Sequence, residues 1–174
     1  MANVIPSPAV SEPTAAGPAK IEAIYISPGH SYWTRRGEPK LQHAAVSVDR
    51  AECVAGRGIV GDRYFEKRPG HKGQLTLIDA DVLRRLRERF PGDHWDAGTL
   101  RRNVVVHGLD LASLLHREFT IQGVTLYGSQ ECKPCRWMDQ QIGEGSKALM
   151  SEPFAGGLRT RIVTGGTLTL GETH

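Results

Sequence analysis

The chain has 174 residues, enough for one domain with a hydrophobic core and too few for two. Its 39% hydrophobic and 24% charged residues are ordinary for a globular protein and exclude wholesale disorder. The net charge is only +3, with no run of more than two consecutive lysines or arginines. This argues against a nucleic-acid partner, because nucleic-acid binders concentrate positive charge and interleave it with aromatic residues.

Cysteine content and hydropathy indicate a cytoplasmic protein with no membrane partner. Three cysteines, an odd number, do not make a disulfide scaffold, so we expect Cys53, Cys132 and Cys135 to be thiols. No segment approaches the ~18 consecutive apolar residues of a membrane span. The N-terminus also lacks the charged and apolar regions of a secretory signal.

The predicted elements start after a segment rich in Pro, Ala and Ser. We expect this segment, residues 1–19, to be a disordered tail outside a single domain that spans residues 20–174. Alternation of side chains predicts strands over Ile21–Ile26 and Leu41–Val48. Ile59–Arg63 follows a glycine turn, which indicates a bent and closely packed backbone.

The middle of the chain predicts a strand, a helix and a second strand. Gln74–Ile78 is typical of a short buried strand, and Asn103–Val106 is strongly β-branched. Between them, apolar residues at helical spacing predict a helix over residues 80–90, N-capped by Asp79 or Asp81. Its arginines fill the opposite side, which is best interpreted as a solvated helix face.

The last third of the chain predicts two hairpins and two short helical segments. In chain order these are a helical turn over Leu109–Leu115, a hairpin joining Phe119–Ile121 to Val124–Tyr127, a helix over Ser146–Ser151, and a hairpin joining Arg161–Val163 to Thr167–Leu170. Many short strands with few helices predict a mainly β fold, a barrel or a folded-over mixed sheet. The strand–helix alternation of a Rossmann fold is absent.

Cys132 and Cys135 have a C-x-x-C spacing that leaves several interpretations open. A structural zinc site needs four ligands, yet Cys53 is the only other cysteine and no two histidines are spaced H-x-x-x-H. A thioredoxin-like dithiol needs its first cysteine at the start of a helix, whereas this pair follows a hairpin and Pro134 delays any helix. Two inert buried cysteines, or a reactive thiolate on a loop, remain.

Charged neighbours favour the reactive thiolate. Lys133 and Arg136 flank Cys135, and nearby cations stabilise a thiolate. Soft thiolate sulfur suits molybdenum-type or sulfur-transfer chemistry, for which a carboxylate would not serve. Trp137, two residues further on, is a candidate wall for such a site.

Several segments occur in the order of one family's characteristic motifs. They are Gly58–Arg63 (GIVGDR), Gln74–Ile78 (QLTLI), Leu100–Leu111 (LRRNVVVHGLDL), Phe119–Leu126 (FTIQGVTL), Cys132–Cys135 (CKPC) and Gly156–Arg159 (GGLR). Together they make the sequence similar to MOSC domains, the molybdenum-cofactor sulfurase C-terminal domains that also occur as stand-alone bacterial proteins. The resemblance runs from about Ile21 to Leu170.

This resemblance implies a β-strand-rich, barrel-like fold with a few short helices, and binding of a molybdenum–pterin cofactor (Mo-molybdopterin). It also implies that Cys135 is the reactive cysteine and the metal ligand, while Cys132 holds a less constant position. Some members of the family reduce N-hydroxylated bases or related N-oxygenated compounds, and others are proposed to carry sulfur. Both functions stay open: a molybdenum-dependent oxidoreductase served by an external electron-donor protein, or a persulfide carrier served by a sulfur-donor protein.

A pterin cofactor carries a phosphate, for which arginine, lysine and backbone N–H groups are natural partners. Basic residues in or beside the matching segments are therefore candidates for cofactor binding: Arg63, Lys72, Arg101, Arg102 and Arg159. Asn103 is a candidate for bonding the pterin edge, and Asp62 for accepting from its ring nitrogens or orienting Arg63. The alternative for each is a structural role, such as a local ion pair or a bond to backbone.

Overall fold

Short runs of alternating or β-branched residues form eleven strands in the part of the chain that this computed structural model describes, residues 15–29 and 43–174. The strands are β1 Ala15–Ile26, β2 Val46–Val48, β3 Arg50–Val54, β4 Gly58–Ile59, β5 Leu75–Asp79, β6 Val104–Leu109, β7 Glu118–Ile121, β8 Val124–Glu131, β9 Leu158–Thr164, β10 Gly166–Thr169 and β11 Gly171–Glu172. The helices are α1 Ala80–Arg89, α2 Arg136–Gln141 and α3 Ser146–Leu149, with a 3₁₀ turn at Ala97–Leu100.

Two sheets account for all of these strands. The large sheet has the order β11-β1-β6-β5-β9-β8-β7, with β2 added beside β1, and the small sheet has the order β10-β3-β4. Within the large sheet β5 and β6 are parallel, and every other pair is antiparallel. The predicted mainly β fold is confirmed, but within the described residues the sheets stay open rather than closing into a barrel.

The first strand starts on the N-terminal side of the predicted boundary between residues 19 and 20. Strand β1 begins at Ala15, inside the segment predicted to be a tail. Residues 1–14 lie outside the described residues, so the tail itself stays a prediction. Residues 41 and 42, the start of the strand predicted over Leu41–Val48, also lie outside the described residues. The described part of that prediction contains the strand Val46–Val48.

The predicted final hairpin is wrong. Strand β9 pairs with β5 and β8 in the large sheet, whereas β10 pairs with β3 in the small sheet. The chain crosses between sheets at Gly165, where an added Cβ would lie 2.7 Å from the carbonyl oxygen of Cys53. The glycine therefore permits a close backbone approach rather than a hairpin turn. The predicted helical turn after Leu109 is likewise an irregular turn, which ends in a bridge from Leu115 to Gly128.

Two local predictions are confirmed by their hydrogen bonds and dihedral angles. Asp79 caps α1, because its carboxylate accepts from Asp81 N at 2.9 Å. The hairpin of β7 and β8 turns at Gln122 and Gly123, with φ of +49° and +77°, as a type I′ turn requires. Arg84 and Arg85 of α1 form surface ion pairs, such as that of Arg85 with Glu152, so they belong to a solvated face.

The core lies on both faces of the large sheet. Successive residues of a strand point to opposite faces, so Leu77 and Ile78 of β5 enter different hydrophobic clusters. One cluster lies between the two sheets, and the other lies beneath α1 and α2, where it includes Leu86 and Met138. This burial of both faces fixes the central strands, on which the site described next is built.

Among the described helices, none combines the length and the apolar character that crossing a bilayer demands.

Candidate functional site

Residues distant in sequence meet in one row across the large sheet. Thr76 of β5 pairs with Arg159 of β9, which also pairs with Gln130 of β8. On the other side of β5, the backbone N–H of Asn103 donates to the carbonyl of Thr76 at 3.1 Å. Because directly opposite residues of paired strands share a face, the side chains of Thr76 and Arg159 project to the same side.

A cavity of about 220 Å³ lies over this face, and we refer to it as the cysteine cavity. Its lining comes from the loops before β5 and β6, the segment after β8 and the start of β9. The lining residues are Arg63, Tyr64, His71, Gly73, Thr76, Leu100, Arg101, Arg102, Cys132, Lys133, Cys135, Trp137, Met138 and Arg159. The fold thus collects five of the predicted site residues, namely Arg63, Arg101, Arg102, Cys135 and Arg159, around one space.

The charge of this cavity has one sign. Five of its lining residues are arginine or lysine, and among the described residues that line it none is an aspartate or glutamate. The histidine of the wall, His71, has a pKa below its usual range, first because it is partly buried and then because Arg68 and other cations repel a proton. An anion is therefore the ligand that this lining favours.

Arg63 is the most unusual of these cations. Its side chain is only 8% exposed, and within the described residues its Nε and Nη1 donate no hydrogen bond. Nη2 reaches the carbonyl of Arg101 at 3.4 Å, and the guanidinium stacks on the ring of Tyr64 at 4.7 Å. A buried guanidinium with unused N–H groups is costly unless a ligand completes its hydrogen bonds.

Asp62 lies behind Arg63 rather than in the cavity. Its carboxylate is fully buried and accepts three hydrogen bonds, from Ser27 N at 3.0 Å, Tyr64 N at 3.0 Å and Asn103 Nδ2 at 3.1 Å. Nη1 of Arg63 is 3.8 Å from this carboxylate, an ion-pair distance that is too long for a hydrogen bond. Asp62 therefore holds the loop and supplies countercharge to Arg63.

Asn103 is likewise buried and saturated by protein partners. Its Oδ1 accepts from Thr76 N at 3.1 Å and Thr76 Oγ1 at 2.8 Å. Its Nδ2 donates to the carbonyl of Tyr25 at 3.2 Å as well as to Asp62. Asn103 thus ties β1, β5 and β6 together behind the cavity, and its own groups are satisfied without a ligand.

Arg101 and Arg102 reach the cavity from the turn before β6. Arg101 has a φ of +57°, a left-handed backbone that non-glycine residues rarely adopt. Its guanidinium donates to the carbonyls of Gly29 at 2.7 Å and His43 at 3.3 Å. Arg102 donates through Nε to the carbonyl of Gly156 at 2.7 Å. Both arginines are therefore anchored to backbone while they add charge to the wall.

Arg159 and Lys72 differ in their placement. Arg159 lies in the sheet row, and its aliphatic chain passes close to Gly73, where an added Cβ would be 3.6 Å from its Cδ. Lys72 is exposed and does not line the cavity, although His71 and Gly73 on either side of it do. His71 Nδ1 accepts from Gly73 N at 3.2 Å, so a neutral His71 carries its proton on Nε2.

The two cysteines have different exposures. Cys132 is 2% exposed, whereas Cys135 is partly exposed and directly precedes α2. The helix therefore begins after the second cysteine and not after the first, as a thioredoxin-like dithiol would require. Cys53 lies apart in the core between the sheets, where burial raises the pKa of its thiol to about 12. It is the packed thiol expected of a free cysteine outside the site.

Two glycines allow the backbone to pack closely against the cysteine segment and the sheet. A Cβ on Gly156 would lie 1.8 Å from the carbonyl oxygen of Cys132, and one on Gly157 would lie 2.1 Å from that of Leu77. The Cys132 N–H in turn donates to the carbonyl of Gly157 at 2.8 Å. Only glycine permits this approach, which explains the paired glycines of the GGLR segment.

Tyr64 and His71 are among the lining residues that were not predicted as site residues. Their rings stack at 4.8 Å, so Arg63, Tyr64 and His71 form a layered wall. Tyr64 follows the GIVGDR segment directly, and this adjacency is the only sequence signal for it. The contact between residues seven apart in an irregular loop has no periodicity from which it could be predicted.

The sequence matches a known family, and the fold is similar to those of solved structures. The MOSC domain family model matches residues 65–173. None of the curated proteins matches the sequence. The YuaD protein from Bacillus subtilis has a similar structure, with a TM-score of 0.67, 18% identity, and coverage of 88% of this chain and 92% of that one.

YiiM from Geobacillus stearothermophilus and YiiM from Escherichia coli are also similar in structure. The first has a TM-score of 0.62 and 16% identity over 89% of this chain and 73% of that one. The second has a TM-score of 0.60 and 14% identity over 88% of this chain and 68% of that one. Likenesses at such identities show the fold alone. The family match, however, spans well over half of the sequence, so the chain belongs to the MOSC domain family, which is linked to molybdenum-cofactor binding or sulfurase activity.

Proposed function

We propose that this protein binds a molybdenum–pterin cofactor in the cysteine cavity and reduces N-hydroxylated or related N-oxygenated compounds there. The observation that carries the proposal is Arg63, whose buried guanidinium has two nitrogens without acceptors among the described residues, in the wall that also holds Cys135. A phosphorylated, sulfur-rich cofactor needs an anion-binding group and a soft metal ligand together. The cavity supplies both.

The donor set fits such a cofactor at both of its ends. Cys135 is the partly exposed thiol and takes the role of metal ligand. The cations of the wall, Arg63, Arg102 and Arg159, take the role of phosphate and oxyanion donors. Lys72, exposed beside the cavity, adds long-range attraction for an anion.

The remaining predicted residues act by positioning. Asp62 and Asn103 are saturated by protein groups, so they hold the arginine-bearing segments in place rather than contact a ligand. Arg101 anchors the turn before β6 to the carbonyls of Gly29 and His43. A rigid frame of this kind keeps the cationic wall in one geometry before the ligand arrives.

When bound, the cofactor would supply two-electron reduction at molybdenum, a chemistry that side chains do not provide. For a hydroxylamine the balance is R–NHOH plus two electrons and two protons, giving R–NH₂ and water. The electrons come from an external electron-donor protein. His71, with its proton on Nε2 in the neutral form and its place in the wall, is the protein group suited to pass protons in this cavity.

The decisive experiment is a metal analysis of protein expressed in cells that make the cofactor. We expect about one molybdenum per chain in the wild type and almost none in Cys135→Ala, since the metal would lose its protein ligand. Cys53→Ala is the matched control, because that thiol lies in the core away from the cavity, and it should keep its molybdenum. A wild-type protein that acquires no molybdenum would contradict the proposal.

One observation favours a second function, that of a sulfur carrier. Cys132 lines the same cavity as Cys135, whereas a metal held by one thiolate does not need a second thiol. A persulfide on Cys135, loaded by a sulfur-donor protein, would instead react with Cys132. The two cysteines then form a disulfide, and the outer sulfur leaves as H₂S. Intact-protein mass spectrometry would detect one labile extra sulfur in Cys132→Ser, where no second thiol resolves the persulfide, and none in Cys135→Ala.

A further inference from the structure

A second and larger cavity adjoins the cysteine cavity. It has a volume of about 440 Å³, within the range of small-molecule sites. Its chemistry comes mainly from Asp93, His94 and Asp96, which precede the 3₁₀ turn, and from Trp95 and Trp137. We refer to it as the acidic cavity.

The two cavities share part of their walls. Arg101 and Trp137 line both of them, and Trp137 is two residues beyond Cys135. The indole of Trp137 is held in place, because its Nε1 donates to the carbonyl of Thr99 at 3.2 Å. A flat molecule lying against this indole in the acidic cavity would therefore be next to the wall that carries Cys135.

The acidic cavity has the opposite charge to its neighbour. Asp93 and Asp96 contribute two carboxylates, and Arg101 is the only lysine or arginine among the described residues that line it. Arg101 already donates to the backbone carbonyls of Gly29 and His43. The carboxylate of Asp96 is fixed by capping, because its Oδ1 accepts from Thr99 N at 3.0 Å. The cavity thus combines aromatic surface with oriented negative charge.

We propose that the acidic cavity is the compartment for the organic substrate, and that it selects flat molecules bearing a cationic or N–H-donor group over anionic ones. The proposal rests on the function proposed above for the cysteine cavity. Indole surfaces favour flat rings, and carboxylates favour amidinium-type or amino donors. An anionic cofactor and a donor-bearing substrate would then occupy adjacent spaces of opposite charge, so neither competes for the other's site.

The test uses two probes of equal shape and opposite charge, benzamidine and benzoate, on the purified full-length protein. Binding is followed by NMR through the indole N–H signal of Trp137, which is assigned from the Trp137→Phe variant. We expect benzamidine to shift this signal and to bind more tightly than benzoate. Asp93→Asn and Asp96→Asn should each weaken benzamidine binding about threefold, because both carboxylates are exposed and partly screened.

The control variant is Asp110→Asn. Asp110 is also an exposed aspartate that accepts from backbone, from Ala112 N at 3.1 Å, but it does not line the acidic cavity. Asparagine keeps the oxygen that accepts from backbone at Asp96 and Asp110, and Asp93 is exposed, so folding is preserved in all three variants. Equal binding of the two probes, no binding of either, or the same loss in Asp110→Asn would overturn the inference.

The result is independent of cofactor loading, because the probes are measured on cofactor-free protein. Selective benzamidine binding in a protein that never acquires molybdenum would contradict the proposed function and leave the charge selection standing. Normal molybdenum content with unselective probe binding would contradict the acidic compartment alone.

Discussion

The cysteine cavity and the acidic cavity are neighbours that share Arg101 and Trp137, yet they are built in opposite ways. The cysteine cavity lies on a row of the large sheet, and its charge is backed by buried, hydrogen-bonded groups such as Asp62 and Asn103. The acidic cavity takes its charge from Asp93 and Asp96, which are exposed. The cationic wall is therefore backed by a buried, hydrogen-bonded frame, whereas the acidic wall presents exposed carboxylates, of which Asp96 is held by its capping bonds.

This difference has an energetic consequence. Buried charges interact strongly with neighbouring groups, so a substitution that removes one of them lowers the stability of the fold. Exposed charges are screened by solvent, so their substitution changes stability little. Substitutions in the first region should therefore affect folding and binding together. Those in the second should affect ligand choice with little effect on folding.

The largest effect is expected when the buried frame loses its carboxylate. Asp62→Ala removes the acceptor for Ser27 N, Tyr64 N and Asn103 Nδ2, and leaves the guanidinium of Arg63 buried without countercharge. We expect the free energy of unfolding to fall by about 3 kcal/mol. Urea denaturation followed by circular dichroism measures it.

The matched substitution in the other region is Asp93→Ala. Because that carboxylate is exposed, its loss should change the free energy of unfolding by less than about 0.5 kcal/mol. If the two variants lose similar stability, the contrast between a buried frame and an exposed wall is wrong.

An intermediate effect is expected for anion binding in the cysteine cavity. Arg63→Met keeps the packing of the side chain but removes Nε and Nη1, which have no acceptor among the described residues. Affinity for inorganic phosphate should fall by at least about tenfold, since a charge-assisted hydrogen bond contributes roughly 1.5–3 kcal/mol. The measurement is the rise in melting temperature with phosphate concentration, which reports binding to the folded protein.

Arg136→Met provides the control for this prediction. Arg136 is next to Cys135 in sequence, but it is exposed and does not line the cavity. It should leave the phosphate-dependent stabilisation unchanged. A loss in Arg136→Met equal to that in Arg63→Met would mean that phosphate responds to overall charge and not to the geometry of the cavity.

The sequence predicted those parts of the fold that depend on neighbouring residues. The cap of α1 at Asp79 and the turn at Gln122 and Gly123 are local, so residue preferences identified them. The crossing at Gly165 was misread as a hairpin because a glycine in a turn and a glycine at a close backbone approach look the same in sequence. Tertiary contact decides between them.

The candidate site was predictable only in part for a similar reason. The order of the motifs predicted that Cys135 and the arginines belong to one site. Four of the five predicted basic residues do line the cavity. Some partners of Asp62 and Asn103 lie far away in sequence, Ser27 at 35 residues from Asp62 and Tyr25 at 78 residues from Asn103, and no local pattern indicates them. The acidic cavity was missed because Asp93 and Asp96 resemble ordinary surface residues in sequence.

The smallest effect concerns protonation in the cationic wall. Burial and the charges of Arg68, Arg159 and Lys67 hold the pKa of His71 below its usual value of 6.5. Below pH 6.5 the unfolded chain therefore binds a proton more readily than the folded one. The stability contributed by His71 is present above that pH and is lost as the pH falls from there through the folded pKa.

An anion in the cysteine cavity should reverse this shift, because negative charge favours the imidazolium. In an NMR titration of the His71 ring protons, we expect a midpoint below pH 6.5 without ligand and a higher midpoint with inorganic phosphate. Arg63→Met should abolish the rise by removing the anion. A rise that persists in Arg63→Met would place the anion elsewhere, and no rise at all would mean that His71 does not share a wall with it.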